Sequence, residues 1–418
     1  MKSGLNFKLV SLKNVIFMTM KKYMIFFAAM LSLSGCSYGG DAPFGWATCT
    51  SLEGGHYELT GGGHGSSITL KSTGEDMRDA IVDAVNSYDV IILDGSNGLF
   101  PISTTMVLDS VKNKTIVGIN GAYLRSISQI TPEILEYIEA NEGKYRNDIP
   151  DAKGNYHMPV GNYATSNLEA YTRRRALYDY TGDPEEKFCH SGMFAFHNSE
   201  NIILRNIAFE GTGRFRALPD NMIRILKESN HIWIDHCSFT DPSRCCMSAG
   251  SAADFITVTR CIYRFTERSG SKETYGFLIS SSDNSPKDVG HLNITIAHCF
   301  FDNVWGRPPM ARYGHIHVLN TYYDNPKMSG INPRTESSFL VENNYFEDGT
   351  NALCAYHMDI NVPTAHQWKG NRFGNDNPVE GKGTVIMPYA YQALPAEAVK
   401  EDVLSDCGPV LENPLRIR

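Results

Sequence analysis

Positive charge is in deficit in this sequence: 38 Lys and Arg stand against 46 Asp and Glu, for a net charge of −8. That balance excludes a general nucleic-acid binder, which presents a basic surface, but leaves room for a local cationic cluster that holds a polyanion. Paired Cys-x-x-Cys motifs are absent although there are ten cysteines, so metal-thiolate chemistry is not expected. The apolar run Tyr23–Leu31 is too short for a membrane-spanning helix. What remains is a chain of globular composition, 42% hydrophobic and 20% charged, with 36 glycines that suit many turns. Its 418 residues allow one large domain or two to three ordinary ones.

The N-terminus has the form of an export signal. Lys21 and Lys22 precede the short apolar run, and Leu33-Ser34-Gly35-Cys36 follows it. The last four residues resemble a bacterial lipoprotein cleavage box, in which the cysteine is acylated and becomes the new N-terminus. Residues 1–36 are therefore expected to be a signal peptide and 37–418 the exported domain, with residues 1–19 an upstream extension and translation from Met20. The expected location is the outer membrane or cell surface as a lipoprotein, otherwise the periplasm or medium. Membrane contact is expected only through a lipid at Cys36. With Cys36 lipidated nine cysteines are left, so at least one is unpaired; export itself tolerates either state.

A repeat dominates the rest. Segments beginning at Asn201, His231, Phe255, Asn293, His315 and Ser338 align, with starts 30, 24, 38, 22 and 23 residues apart. Each alternates apolar residues at its second and fourth positions, as a strand does. The sixth position reads Asn206, His236, Arg260, His298, Asn320, Asn343; the ninth is aromatic throughout, from Phe209 to Phe346. A strand, a sharp polar turn and an aromatic, recurring about every 22 residues, describe coils of a parallel β-helix. Equivalent residues of successive coils then lie about 4.8 Å apart. The sixth-position groups are expected to hydrogen-bond along the stack and the aromatics to stack inside. Cys237, Cys261 and Cys299 fall in one column as small buried hydrophobes. Long spacings mark loops, the natural place for a cleft.

Upstream, the run Asn113 to Gly121 reads as an earlier coil, preceded by a helix over Gly74 to Ser87. Residues from about 127 to 190 break the pattern and read as a helical and loop insertion, with Thr131-Pro132-Glu133 as a helix start. The run Arg173-Arg174-Arg175 there reads as a solvated helix face.

Several phrases together resemble polysaccharide lyase family 1, the pectate and pectin lyases. They are Thr60-Gly61-Gly62-Gly63, Asn113-Lys114-Thr115-Ile116, Trp233-Ile234-Asp235-His236-Cys237, Leu278-Ile279-Ser280-Ser281-Ser282-Asp283 and Arg307-x-Pro309-x-x-Arg312. The resemblance runs in order from about residue 60 to 350. It implies an all-β fold, a single-stranded right-handed parallel β-helix, acting as a monomer on polygalacturonan or pectin by β-elimination. Arg307 falls on the family's proton-abstracting arginine and Arg312 on the arginine that helps bind the uronate. The Asp235-His236 pair reads as part of the ladder and not as a catalytic couple.

The residue types suit that chemistry. The C-5 proton lies beside a carboxylate whose charge opposes carbanion formation, so catalysis needs fixed positive charge there. It also needs a base, and an arginine serves only where burial and nearby cations disfavour its charged form. Arg312, Arg244 and Lys272 are the candidate cations.

Two departures from the calcium-dependent members stand out. Asn221 falls where an acidic ligand is usual, with Asp220 adjacent, and Arg244 and Ser248 fall where two further acids are expected. Hard cations want several carboxylate oxygens, and an arginine repels them while supplying fixed charge itself, as in the pectin-lyase branch. No cofactor is therefore expected, calcium being the alternative. An ester acidifies C-5 better than a carboxylate does, so methyl-esterified substrate needs less help. Tyr275 replaces a lysine that pectate lyases keep, and Lys272 is the nearest substitute. Two other classes compete. A β-helical glycoside hydrolase needs paired carboxylates, and the central coils show neither clustered Asp-Asp nor Gly-His-Gly. A non-catalytic carbohydrate-binding surface β-helix fits the lost acids but not the Arg307/Arg312 pair.

Overall fold

A computed structural model describes residues 42–127, 132–145, 176, 179–180, 192–213, 221–266, 274–324, 330–347, 351–355, 358–374 and 377–417. Among them, strands form three all-parallel sheets of ten, nine and seven members, wound as a right-handed parallel β-helix. One coil shows the plan. Asn230–Asp235 lies in the first sheet, Ser238–Thr240 in the second and Cys245–Ala249 in the third, before Asp254–Thr259 returns to the first. All six repeat segments fall on consecutive strands of the first sheet, with the register their alignment implies: Ile232 pairs with Ile202 on one side and Ile256 on the other.

The left-handed backbone at the sixth position makes the corner between the first two sheets. Asn206, His236, Arg260, His298, Asn320 and Asn343 all have φ between 45° and 59°. Asparagine tolerates that region because its short side chain bonds locally; histidine and arginine need other support. The expected bonding along the stack is present in part, Asn206 Nδ2 donating to the Gly118 carbonyl and Asn320 Nδ2 to the Asn343 carbonyl, each at 2.9 Å. Most sixth-position groups also reach to the C-terminal segment: His298 Nδ1 lies 2.8 Å from Asp402, Arg260 pairs with Asp402 and Asp406, and Asn320 and Asn343 donate to the Leu394 carbonyl. A further ladder lies one position on. Thr321 N donates to Asn344 Oδ1 at 2.8 Å, and Asn344 Nδ2 to Asn371 Oδ1 at 2.9 Å.

The aromatic column stacks inside as its spacing predicts. Ring centroids are 5.7 Å apart for Phe209 and Phe239, 4.3 Å for Tyr263 and Phe301, 5.1 Å for Phe301 and Tyr323, and 4.6 Å for Tyr323 and Phe346. Cys237, Cys261 and Cys299 are buried free thiols in the same core. Burial pushes the Cys299 thiol up to about 12, which makes it an inert space-filler. Cys36 and Cys189 lie outside the described residues.

Coverage of the sheets decides where a ligand can reach. The helix Arg78–Ser87, matching the Gly74–Ser87 expectation, buries Ile81, Ala84 and Val85 in the main core beside the early coils. An N-terminal segment crosses the outer face of the first sheet, where the backbone of Trp46 and Ala47 donates to Thr295 and Thr257 hydroxyls. A second helix, Ala396–Asp406, lays Val399 and Val403 against Phe300, Tyr322 and Tyr345 on the second sheet. The third sheet keeps a cleft on its outer face.

The interrupted stretch begins after strand Tyr123–Ser126, and the next strand is Phe194–His197. Helix Pro132–Asn141 starts where the Thr131-Pro132-Glu133 signal predicts. Met106–Asp109 pairs directly with Phe194–His197, so the chain between them leaves the third sheet continuous. Arg173, Arg174 and Arg175 lie outside the described residues, as does the whole signal segment 1–36. No helix among the described residues is long and apolar enough to cross a membrane.

Candidate active site

The cleft on the third sheet encloses about 470 Å³ and is floored by one row of the β-ladder. Register aligns Arg224 with Ser248, Ser248 with Leu278, and Leu278 with Met310, while the alternate residues Ile223, Met247, Phe277 and Ala311 point into the core. Because the strands are parallel, everything preceding them forms one margin and everything following them the other. Asn221, Arg244 and Arg307 occupy the first margin; Leu226, Ser251, Lys287 and Arg312 occupy the second.

Arg307 is held by its backbone. Its φ is 59°, a left-handed conformation uncommon for a non-glycine residue, and its carbonyl accepts from Phe277 N at 2.7 Å. Gly276 makes that approach possible, since a Cβ there would lie 2.6 Å from the Arg307 carbonyl oxygen. The side chain lies with its guanidinium carbon 3.8 Å from the centroid of the Tyr275 ring, and Nη1 is 3.5 Å from Cys245 Sγ. Tyr275 thus forms the platform under Arg307. Among the described residues no carboxylate pairs with Arg307, Arg244 or Lys287.

Arg312 differs: it is buried and neutralised. Its Nε donates to Asp283 Oδ1 at 2.7 Å and its Nη1 to the Ser280 carbonyl at 3.0 Å. Asp283 also accepts from Arg334 Nη2 at 2.9 Å and from Thr335 Oγ1 at 2.6 Å. Burial opposes ionisation of Asp283, but the hydrogen bonds from Arg312 and Thr335 and the two arginine charges outweigh it, so its carboxyl sits below the usual value.

Among the described residues the cleft offers few oxygen donors that a calcium ion could use. At the three positions where acids were sought stand Asn221, Arg244 and Ser248, and Asn221 Nδ2 donates to Ser248 Oγ at 2.9 Å. Asp288, the carboxylate lining the cleft, is committed to Ala252 N at 2.9 Å and Ser280 Oγ at 2.6 Å. Guanidiniums beside a site repel a divalent cation that wants six to eight oxygens. Among the described residues no group of three or more His, Cys, Asp and Glu is placed to hold a metal. Asp220 lies outside the described residues.

Of the four residues the sequence singled out, Arg307, Arg312 and Arg244 meet in this cleft, and Lys272 lies outside the described residues. Asp235 and His236 are fully buried away from it: Asp235 accepts from Arg205, Thr259 and His236, as a ladder pair would. Sequence reasoning missed Arg224 and Lys287. The alternation Ile223-Arg224-Ile225 carried a signal for the first, an outward arginine on a buried strand. No periodicity marks the second, which sits on an irregular loop.

A parallel β-helix with a cation-lined cleft on one sheet is the class of protein that fold and site define. Residues 182–409, over half the chain, match the family model described as pectate lyase, and the chain belongs to that family. A probable pectate lyase A of Neosartorya fischeri is 30% identical over 222 residues, 51% of this chain and 64% of that protein. Pectate lyase A of Aspergillus niger is 32% identical over 222 residues, 51% of this chain and 63% of its own length. The chain therefore spans under two thirds of those relatives. Among solved structures, pectate lyase II of Xanthomonas campestris superposes with a TM-score of 0.55 at 18% identity, covering 89% of this chain and 99% of that one. A Bacillus sp. N165 pectate lyase solved in complex with trigalacturonate gives 0.55 at 16% identity, covering 88% and 98%.

Proposed function

We propose that this protein is a polysaccharide lyase that cleaves α-1,4-polygalacturonan, as pectate or its methyl ester, by β-elimination with Arg307 as the base. One observation carries the reading: Arg307 faces a cation-lined cleft, fixed at its backbone and unmatched by any carboxylate among the described residues. Its neutral guanidine removes the C-5 proton, the electron pair forms the C-4 to C-5 double bond, and the glycosidic oxygen leaves C-4 and is protonated by solvent. Unsaturated oligogalacturonides result. Arg244 and Arg224 stand where charge builds on the uronate group and supply the fixed positive field. The Tyr275 ring holds the Arg307 guanidinium in place, 3.8 Å from its centroid.

Arg312 acts through orientation, its Nε being held by the Asp283 carboxylate that it shares with Arg334. The Arg244 guanidinium at one of the acidic-ligand positions, with Asn221 and Ser248 at the others, supports activity with little or no calcium, calcium dependence being the alternative. Export by the N-terminal signal, with a lipid on Cys36, places such an enzyme at the cell surface or outer membrane as a monomer.

The test is the ultraviolet absorbance of unsaturated product from low-ester and high-ester pectins, each with calcium and with chelator. Absorbance that survives chelation supports the reading, and strict calcium dependence removes the role given to Arg244. No absorbance on any pectin turns the protein into a non-catalytic carbohydrate-binding β-helix. Arg307→Ala is expected to cost at least about a hundredfold in rate, the scale of a lost general base.

A further inference from the structure

The irregular loop of residues 280–293 forms part of the cleft wall, and the reaction as written uses none of its side chains. Its two acids are both hydrogen-bonded to the scaffold. Asp283 bridges Arg312, Arg334 and Thr335; Asp288, only 2% exposed, accepts from Ala252 N and Ser280 Oγ. Between them, on the 3-10 turn Pro286–Asp288, Lys287 is exposed and lines the cleft. A lysine on a turn is commonly no more than a solvated charge. This one is carried by a turn anchored through the residue next to it, and among the described residues no carboxylate neutralises it.

A pinned turn has already met the ordering cost that a mobile loop pays on binding. Lys287 also stands on the margin opposite Arg244 and Arg307, so a sugar contacting it is not the one losing its C-5 proton. We infer that Lys287 is a specificity-determining residue that binds the free carboxylate of a uronate unit neighbouring the reacting one. An ammonium pairs with a carboxylate and gains little from a methyl ester. The cleft therefore accepts an ester at the reacting sugar while selecting chains that keep an acid nearby. This rests on the proposed lyase reading and deepens it.

The experiment compares wild type, Lys287→Ala and Lys287→Arg on unesterified polygalacturonate and on fully methyl-esterified pectin, with trigalacturonate binding followed by calorimetry. Lys287→Ala is expected to raise KM on polygalacturonate about fivefold, the upper range for a part-exposed ion pair, with kcat unchanged. Its KM on the esterified polymer should not move, its trigalacturonate Kd should weaken by the same factor, and Lys287→Arg should restore both. An unchanged KM and Kd on the acidic ligands, or equal losses on both polymers, overturns the inference. Wild type that binds trigalacturonate without forming unsaturated product sinks the lyase reading alone, and the Kd comparison still decides Lys287. Wild type that neither cleaves nor binds overturns both.

Discussion

Asp283 is where the chemistry of the cleft and the stability of the fold meet. Two buried arginines, Arg312 and Arg334, share its carboxylate, so replacing it removes one charge partner from each. Asp283→Asn keeps the shape and removes the charge. Because about a third of the Asp283 side chain meets solvent, the expected cost is only roughly 1 kcal/mol, read as a lower urea midpoint at unchanged slope. The same variant should raise KM through a displaced Arg312, and Asp283→Glu should recover part of it. Since the folded carboxyl sits below its ordinary value, this contribution is present above that value and fades as pH falls through the folded one.

Two elements depend on contacts between distant parts of the sequence. The aromatic column is the first: Tyr263 is fully buried between Phe239 and Phe301, at 5.5 and 4.3 Å. Tyr263→Ala should cost about 3–5 kcal/mol, seen as a fall in the thermal midpoint, as for other large-to-small core changes. The C-terminal helix Ala396–Asp406 is the second. Burial resists ionisation of Asp402 and Asp406, but His298 and His236 respectively, with Arg260 beside both, outweigh it and hold the carboxyls below their usual value. Their contribution is complete above the unfolded carboxylate value near pH ~4 and is lost as pH falls through the folded values. The histidines oppose each other. For His236, burial is outweighed by its bonds to Asp235 and Asp406, and its pKa is raised; for His298 burial wins and its pKa is lowered. The first therefore loses stabilisation as pH rises through its folded value, and the second as pH falls below about 6.5. Acid release of the helix is thus expected below pH ~4, and hydrogen exchange across Ala396–Asp406 at stepped pH measures it.

At the scale of the whole molecule, stacked coils make stability nearly one-dimensional, each coil touching mainly its neighbours. Phe209 and Phe346 are five steps apart in the column, roughly 24 Å at the β-strand spacing. Their alanine variants should add within about 0.5 kcal/mol, whereas Tyr263 and Phe301, in direct contact, should not. Urea unfolding of the two double variants against their singles distinguishes the cases. Segments near both ends of the described chain close over the first and second sheets, and the cleft is on the third.

Much of this was readable along the chain. The period-two alternation and the sixth- and ninth-position columns specify the first-sheet strand, its corner and the second-sheet strand of each coil, because those residues repeat the same local environment every turn. Arg244, Arg307 and Arg312 were legible through their motifs. The third-sheet strands carry no such column, since their outward residues meet ligand and loops in place of a constant neighbour; Ile223–Leu226 shows as a strand by alternation alone, and Cys245–Ala249 did not announce itself. Tertiary structure alone decided the rest. It turned the sixth-position groups to the C-terminal segment and set Tyr275 beneath Arg307. It gave Arg312 its counter-charge, and brought Lys287 to the margin opposite Arg307. Each of these depends on which loop lies over which coil. Periodicity along the chain does not encode that, because the contact joins residues whose separation in sequence varies with every loop.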